Sequence, residues 1–460
     1  MANVDVLVKQ IMEKLQGEYS DPGNSTGIFP DMNSAVEACS RAQKEYVKLS
    51  LADRTRIVNA IRKVGHDNAE ELSRLTVEET KMGNYDDKVV KNRLVVDKTP
   101  GVEDLTSEAM TGDNGITLTE LSPFGVIGSI TPTTNPTETL FCNSIGMLAA
   151  GNGVVFAPHP SAKNVSLKTL AMINRAIVEA GAPPNLLTAV QNPNLEQTNI
   201  MVAHPKVNML VATGGPGVVK VVLASGKKAV AAGGANPPVV VDETANIEKA
   251  AVDIIKGCGF DNNLPCIAEK EALVVEQVAD YLIFCMKGSG LAHFVEDKAV
   301  IRRLEEQLIV NNAPNKNFIG RSAQAIAESA GLKIDPRVKI LGMETPFDHP
   351  FVQHELMMPV LPIVRVKNFD EAMSKAIEVE HGFRHTAVMH SRNVEHLSAL
   401  AKAIQTTIFV KNAPSYAGIG VGGEGFTTFT IAGPTGEGLT SARTFARRRR
   451  CVLADSFNIR

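Results

Sequence analysis

The feature that most constrains this chain is an alternation. From about residue 115 onward, short runs of β-branched and other apolar residues trade places with stretches of helical spacing. Residues 125–130, 154–157, 187–190 and 207–212 read as strands, with helices at 161–181 and 218–225. A second series has strands at 238–241, 272–275, 361–366, 386–389 and 407–410, and helices at 246–257, 278–286, 369–380 and 394–404. Strands that alternate with helices predict an α/β fold built on parallel, doubly wound sheets. The natural break lies near Gly233 to Pro238, so the chain reads as two α/β domains. Helical patterns fill 33–95. The tail from Asn412 is rich in Gly and Thr, then basic at Arg447, Arg448, Arg449 and Arg450. Four arginines in a row read either as a solvated face or as a phosphate-facing one.

Bulk chemistry narrows the class. A chain of 460 residues at about 150 residues per domain gives two or three domains. Forty-seven Lys and Arg face 50 Asp and Glu, a net charge of −3, so no basic field points to nucleic acid. The cysteines at 39, 142, 258, 266, 285 and 451 show no paired or Cys/His ligand spacing. No metal site is expected, and a reduced cytoplasmic setting fits. No apolar run reaches the roughly 18 residues of a membrane helix, and the N-terminus lacks a secretory pattern. Instead Val4, Leu7, Val8, Ile11 and Leu15 stand at helical spacing, followed by a stretch rich in Gly, Pro, Ser and Asn from Gly17 to Gly27. This reads as a short amphipathic helix on a tether, or as a first helix packed on the body.

Chemistry concentrates in a few segments. Cys266 sits in NNLPCIAEK, after a helix and a polar turn and before a strand. A thiolate is the best side-chain nucleophile for a carbonyl, although a lone cysteine is more often packing. SPFGVIGSITPTTNPTET (122–139) and GNGVVFAPHPSAK (151–163) are strands ending in polar turns. VATGGPGVV (211–219) is a strand, a glycine turn and a helix start. Gly214 and Gly215 permit close backbone approach, and a helix N-terminus attracts phosphate. AAGGANPPVVVD (231–242) enters the second domain, and HELMMPVLPIV (354–364) puts Glu355 before a strand.

In this order and spacing the segments resemble the aldehyde dehydrogenase superfamily over nearly the whole chain. The resemblance implies that Cys266 is the nucleophile and that Glu355 holds the nicotinamide ribose. It implies that Thr213, Gly214 and Gly215 form the nucleotide-phosphate turn, with Thr131, Pro132, Pro158, His159 and Gly233 also at the NAD site. It further implies a Rossmann-like domain at 31–232 for NAD and coenzyme A, a catalytic domain at 233–410, and residues 411–460 packing back. A β-arm near 113–123 and 451–458 would then form a homodimer or a dimer of dimers. Asn135 in PTTNP is the oxyanion donor implied, although aligning Pro132 and Pro136 without a gap offers Thr134 instead. His385 in GFRHTA is a candidate polar group near the thiol; otherwise it is structural.

Two departures from the superfamily are informative. Hydrolytic members carry a glutamate just before the paired glycines, whereas Gly233 and Gly234 here follow Ala231 and Ala232. Alanine cannot take a proton, so a thioester on Cys266 would wait for a better nucleophile than water. Where hydrolytic members have a ribose-binding lysine before the proline, this chain has Ala157, and His159 follows Pro158. These departures, with EHGFRHTAV and SARTFARRRRCVL, resemble the coenzyme A-acylating branch found in bacterial microcompartments. That branch implies short-chain aldehydes such as propionaldehyde or acetaldehyde, NAD and coenzyme A. It also implies that 1–18 targets shell proteins of a microcompartment, with 19–30 as linker. A phosphorylating semialdehyde dehydrogenase, a redox-free cysteine acyltransferase and an inactive shell-binding protein are the competing readings.

Overall fold

The structure, a computed structural model, describes residues 26–459. The expected targeting helix at 1–18 and most of the 19–30 linker lie outside the described residues.

Two parallel sheets dominate. The first runs in the order Ile28–Phe29, Leu187–Val190, Gly153–Pro158, Val126–Thr131, Val207–Thr213, Lys228–Ala232. The second runs Ala292–Phe294, Ile340–Glu344, Val360–Val366, Glu271–Val275, Pro238–Val241, Thr386–His390, Ile408–Lys411. Side chains on successive strand residues point to opposite faces, and both faces are covered. Val154 and Phe156 enter one apolar cluster, Val155 and Ala157 another. Val239 and Val241 likewise part from Val240. This double burial is why the strands read as continuous apolar runs rather than as alternations.

Helix Pro136–Ala149 is buried along its whole length. It packs on the long helix Leu51–Thr80, which opens with a reciprocal capping box between Ser50 and Asp53. Three sequence readings shift. Helix Pro216–Leu223 starts two residues before the expected 218, because proline suits a first helical turn. Strand Lys228–Ala232 was not anticipated; its KAVAA sequence has weak strand character and is made a strand by pairing with Val207–Thr213. Ala292–Phe294 and Ile340–Glu344 were missed for the same reason: they form by pairing with each other and with Val360–Val366.

A separate three-stranded sheet joins Glu108–Gly112, Gly115–Pro123 and Ala446–Ala454, all antiparallel, with Gly115 opposite Ala454 and Pro123 opposite Ala446. The four arginines lie on its last strand, and all four are exposed. The C-terminal segment reaches this strand across the first sheet, and Asn152 holds it there. The buried Asn152 Oδ1 accepts from Phe124 N at 2.8 Å and Gly125 N at 3.1 Å, while Nδ2 donates to Met147 O at 3.1 Å and Phe445 O at 2.9 Å.

Asn152→Ala removes four hydrogen bonds to main-chain groups, of which Met147 O keeps its bond from the residue 152 N–H; a buried group left unpaired costs about 1–3 kcal/mol. Urea unfolding of this variant should show a loss of about 3 kcal/mol or more; a midpoint within error of the parent would show that the anchor is replaceable.

Candidate active site

The loop that carries Cys266 has an unusual backbone. Helix Ile247–Gly259 runs into the 3₁₀ turn Phe260–Asn263, and then Asp261, Asn262 and Asn263 have φ of 48°, 55° and 65°. Asp and Asn are the side-chain-bearing residues that best tolerate this left-handed region. Each is tied down. Asp261 Oδ1 accepts from Asn84 N at 2.7 Å. Asn262 Nδ2 donates to Gly320 O at 3.0 Å. Asn263 Nδ2 donates to Cys258 O and Glu269 O, both at 2.9 Å. From the far side the buried Lys270 Nζ donates to Asn263 O at 3.0 Å and Oδ1 at 2.7 Å. Cys266 is thus held between two fixed ends, and it is partly exposed.

Helix Tyr85–Lys98 approaches the loop with two buried lysines one turn apart. Lys91 Nζ lies 2.5 Å from Asp261 Oδ2, 3.0 Å from Glu138 Oε1 and 2.5 Å from Asn135 Oδ1. Lys88 Nζ reaches Asp261 Oδ2 at 3.1 Å and Thr134 O at 3.2 Å. The PTTNP turn and the cysteine loop therefore meet at the same ammonium groups.

Several residues expected at the NAD site meet at one sheet edge. Their strands are parallel, so Thr131, Pro158, Thr213 and Ala232 end together at the carboxyl edge, Thr131 beside Pro158 and Thr213 beside Ala232. Ligands of open α/β sheets bind at this edge. Thr131 is buried, and its hydroxyl has no hydrogen-bond partner among the described residues. Pro132 is half-buried and follows it. Thr213 Oγ1 lies 3.0 Å from Thr430 Oγ1. A Cβ added at Gly215 would meet nothing within 4 Å, and one at Gly214 only Val218 at 3.9 Å. Neither glycine has positive φ, so the backbone does not require them; what they provide is open space at the N-terminus of Pro216–Leu223. His159 is exposed, and its Nδ1 already accepts from Ser161 N at 3.2 Å. A Cβ on Gly233 would crowd Pro434 at 3.2 Å, and one on Gly234 would touch Glu355 at 3.6 Å. Glu355 Oε2 accepts from Ala235 N at 3.1 Å, which places this carboxylate against the paired-glycine turn. Ala231 and Ala232 are buried just before that turn.

Electrostatics links these pieces. Burial and the Glu355 carboxylate push the Cys266 thiol up to about 12, against the downward pull of the Lys270 and Lys91 ammoniums. Burial also raises Glu355, and Lys270 opposes it. His385 is buried, and burial with the Lys270 charge lowers it to about 3, so its ring is neutral. Its Nδ1 lies 2.9 Å from Thr386 Oγ1, and Nε2 has no hydrogen-bond partner among the described residues. Sequence reasoning missed Lys88, Lys91, Asp261 and Lys270. Two signals were available: three consecutive Asp and Asn residues before Cys266, and lysines at i and i+3 among valines in KVVKN. Among the described residues no group of three or more His, Cys, Asp or Glu is placed to hold a metal, and no helix is long and apolar enough to cross a membrane.

Glu355→Gln removes the anion that raises the thiol. The thiolate fraction at a given pH then increases, and iodoacetamide labelling of the Cys266 peptide without cofactor should run several-fold faster at pH 8. A labelling profile with unchanged pH dependence would show that the carboxylate is not felt at the sulfur.

Comparison with known proteins identifies the family. Residues 27–289 match the aldehyde dehydrogenase family. The chain is 48% identical to a propanal dehydrogenase (CoA-propanoylating) of Citrobacter freundii, over 100% of this chain and 99% of that one. A Rhodopseudomonas palustris propionaldehyde dehydrogenase, solved with coenzyme A and an acylated cysteine, superposes with a TM-score of 0.93 at 59% identity, over 95% of this chain and 100% of that one. The propionaldehyde dehydrogenase of the Clostridium phytofermentans fucose utilisation microcompartment does so with 0.93 at 51%, over 94% and 100%. The chain belongs to the aldehyde dehydrogenase family.

Proposed function

We propose that this chain oxidises a short-chain aldehyde, propionaldehyde or acetaldehyde, with NAD and passes the acyl group from Cys266 to coenzyme A. The observation that carries this reading is the pairing of a rigidly held cysteine with alanines where a water-activating carboxylate would be needed. Ala231 and Ala232 offer no base to a water molecule, so an acyl group on Cys266 lasts until a thiol arrives. Relatives named for coenzyme A acylation support the same acceptor.

Placement and the family resemblance support the following roles. Cys266 sulfur attacks the aldehyde carbon, and the oxyanion of the thiohemiacetal is held by the Asn135 amide. NAD, when bound, accepts the hydride. The open space over Gly214 and Gly215 fits the nucleotide phosphates at a helix N-terminus. Thr131, Pro132, Pro158, His159, Thr213 and Gly233 line the approach, and Glu355 holds the ribose. His385 offers a neutral nitrogen as hydrogen-bond acceptor to the thiol chemistry. The region 31–232 serves the cofactors and 233–410 carries the nucleophile. The exposed arm built from Gly115–Pro123 and Ala446–Ala454 pairs copies of the chain into a dimer or a dimer of dimers.

Two experiments test this function. Cys266→Ala should abolish both NADH and thioester formation, while Cys258→Ala, a substitution at a buried packing cysteine, retains most activity. The parent enzyme given aldehyde and NAD⁺ alone should release at most about one NADH per site and then nearly stop. Coenzyme A should restart it and inorganic phosphate should not; steady turnover with water or phosphate would refute the acceptor.

Location is the second part. Residues 1–18 carry an apolar stripe too short to stand alone as a helix in water, suited to docking in a groove on a shell protein. The likeness to a microcompartment enzyme supports this placement. Fused to a fluorescent protein in cells making shells, residues 1–18 should give punctate fluorescence, and the enzyme without them should stay active. Diffuse fluorescence with an inactive truncation would make them part of the folded body.

A further inference from the structure

We propose that Lys91 is a positioning residue for the oxyanion amide: one buried ammonium sets the Asn135 side chain and, through Asp261, the loop that carries Cys266. The proposal rests on reading Asn135 as the oxyanion donor.

Asn135 stands at the N-cap of Pro136–Ala149, where an asparagine ordinarily accepts from a backbone N–H of the first turn. Here its side chain makes no cap hydrogen bond. It turns instead to Lys91, whose Nζ lies 2.5 Å from Oδ1. An ammonium is a donor only, so it admits the amide in a single orientation, oxygen inward and Nδ2 away. The contact of Nδ2 is a long one, 3.4 Å to Thr134 Oγ1, which leaves N–H capacity for a ligand. A positive charge on the carbonyl oxygen also polarises the amide and strengthens its N–H as a donor in a dry interior.

The same ammonium fixes the nucleophile. It donates to oxygens of Asn135 and Asp261 and lies 3.0 Å from Glu138 Oε1, and neither Lys91 nor either carboxylate partner has exposed side-chain surface. Asp261 begins the left-handed run that leads to Cys266. A shift of the loop therefore moves the charge that orients the amide, and the two groups that must face one carbonyl carbon are referenced to one atom. Lys88 supplies the internal contrast. It is equally buried and bonds the same Asp261 oxygen, yet it reaches Thr134 O and not the Asn135 side chain. The other carboxylate at this cluster, Asp87, accepts from Asp261 N at 2.9 Å.

The test is a pair of double-mutant cycles on the full-length enzyme with propanal, NAD⁺ and coenzyme A. Asn135→Ala should lower kcat by roughly 10²–10³-fold, as loss of one oxyanion donor does. Lys91→Met should fall by a similar factor with little change in KM for NAD⁺, and the Lys91→Met, Asn135→Ala pair should be no worse than the poorer single. Lys88→Met should instead multiply with Asn135→Ala. Full multiplication of the Lys91 and Asn135 losses would overturn the proposal while leaving the oxyanion reading intact. An Asn135→Ala enzyme with parental kcat would overturn the oxyanion reading itself and the proposal with it. If Lys91→Met does not fold, two variants on the amide side decide. Asn135→Asp keeps an acceptor for the ammonium and should retain the thermal midpoint while losing kcat, whereas Asn135→Leu should lower the midpoint. Equal midpoints for both would show that Lys91 does not hold this side chain.

Discussion

Lys91 and Asp261 form an ion pair with no exposed side-chain surface on either partner, 2.5 Å from Nζ to Oδ2, and the site is arranged around it. Removing two charges from water costs several kcal/mol per ion, and their attraction repays this only when the remaining protons and lone pairs are also satisfied. Most of those groups are satisfied here. The ammonium has three oxygens about it, and the carboxylate has two lysines and the Asn84 N–H. Such a pair adds little net stability over an apolar equivalent. Its consequence is geometric, because it joins segments 170 residues apart in sequence. The left-handed run of Asp261, Asn262 and Asn263 costs on the order of 1–3 kcal/mol per residue and stands only because each side chain is tied.

The thiol at the end of that loop is protonated at rest. Burial and Glu355 hold it up to about 12, and the two nearby ammoniums only partly compensate. Glu355 accepts from Ala235 N in the paired-glycine turn, and its charge is felt at the sulfur. Any group that pairs with this carboxylate or moves it therefore alters the ionisation of the nucleophile. The paired-glycine turn and the Cys266 loop are coupled by charge as well as by covalent chain.

Much of the architecture was legible because local signals agreed with tertiary demands. The strands at 187–190 and 238–241 and the helix at 394–404 coincide with the observed elements to the residue, the strands as apolar runs and the helix as an amphipathic pattern behind its Asn393 cap. The strand Lys228–Ala232 was not legible, since its alanines carry no strand preference and it is a strand through its ladder pairing with Val207–Thr213. At the site, Cys266, Glu355 and the glycine turn were visible as motif members. Lys91, Lys88 and Lys270 were not, because a lysine in a helix or before a strand ordinarily reads as a solvated surface residue.

By itself the sequence determined the two-sheet α/β plan, through strand–helix alternation, and the chemical character of the site, through a cysteine in NNLPC and alanines before the paired glycines. Only the tertiary structure decided which charges surround the sulfur. A side chain's ionisation depends on the dielectric and on the charges around it, and those felt by the sulfur come from residues 91, 270 and 355. Periodicity reports on each element's own buried face and carries no information about which distant element will supply the opposing charge.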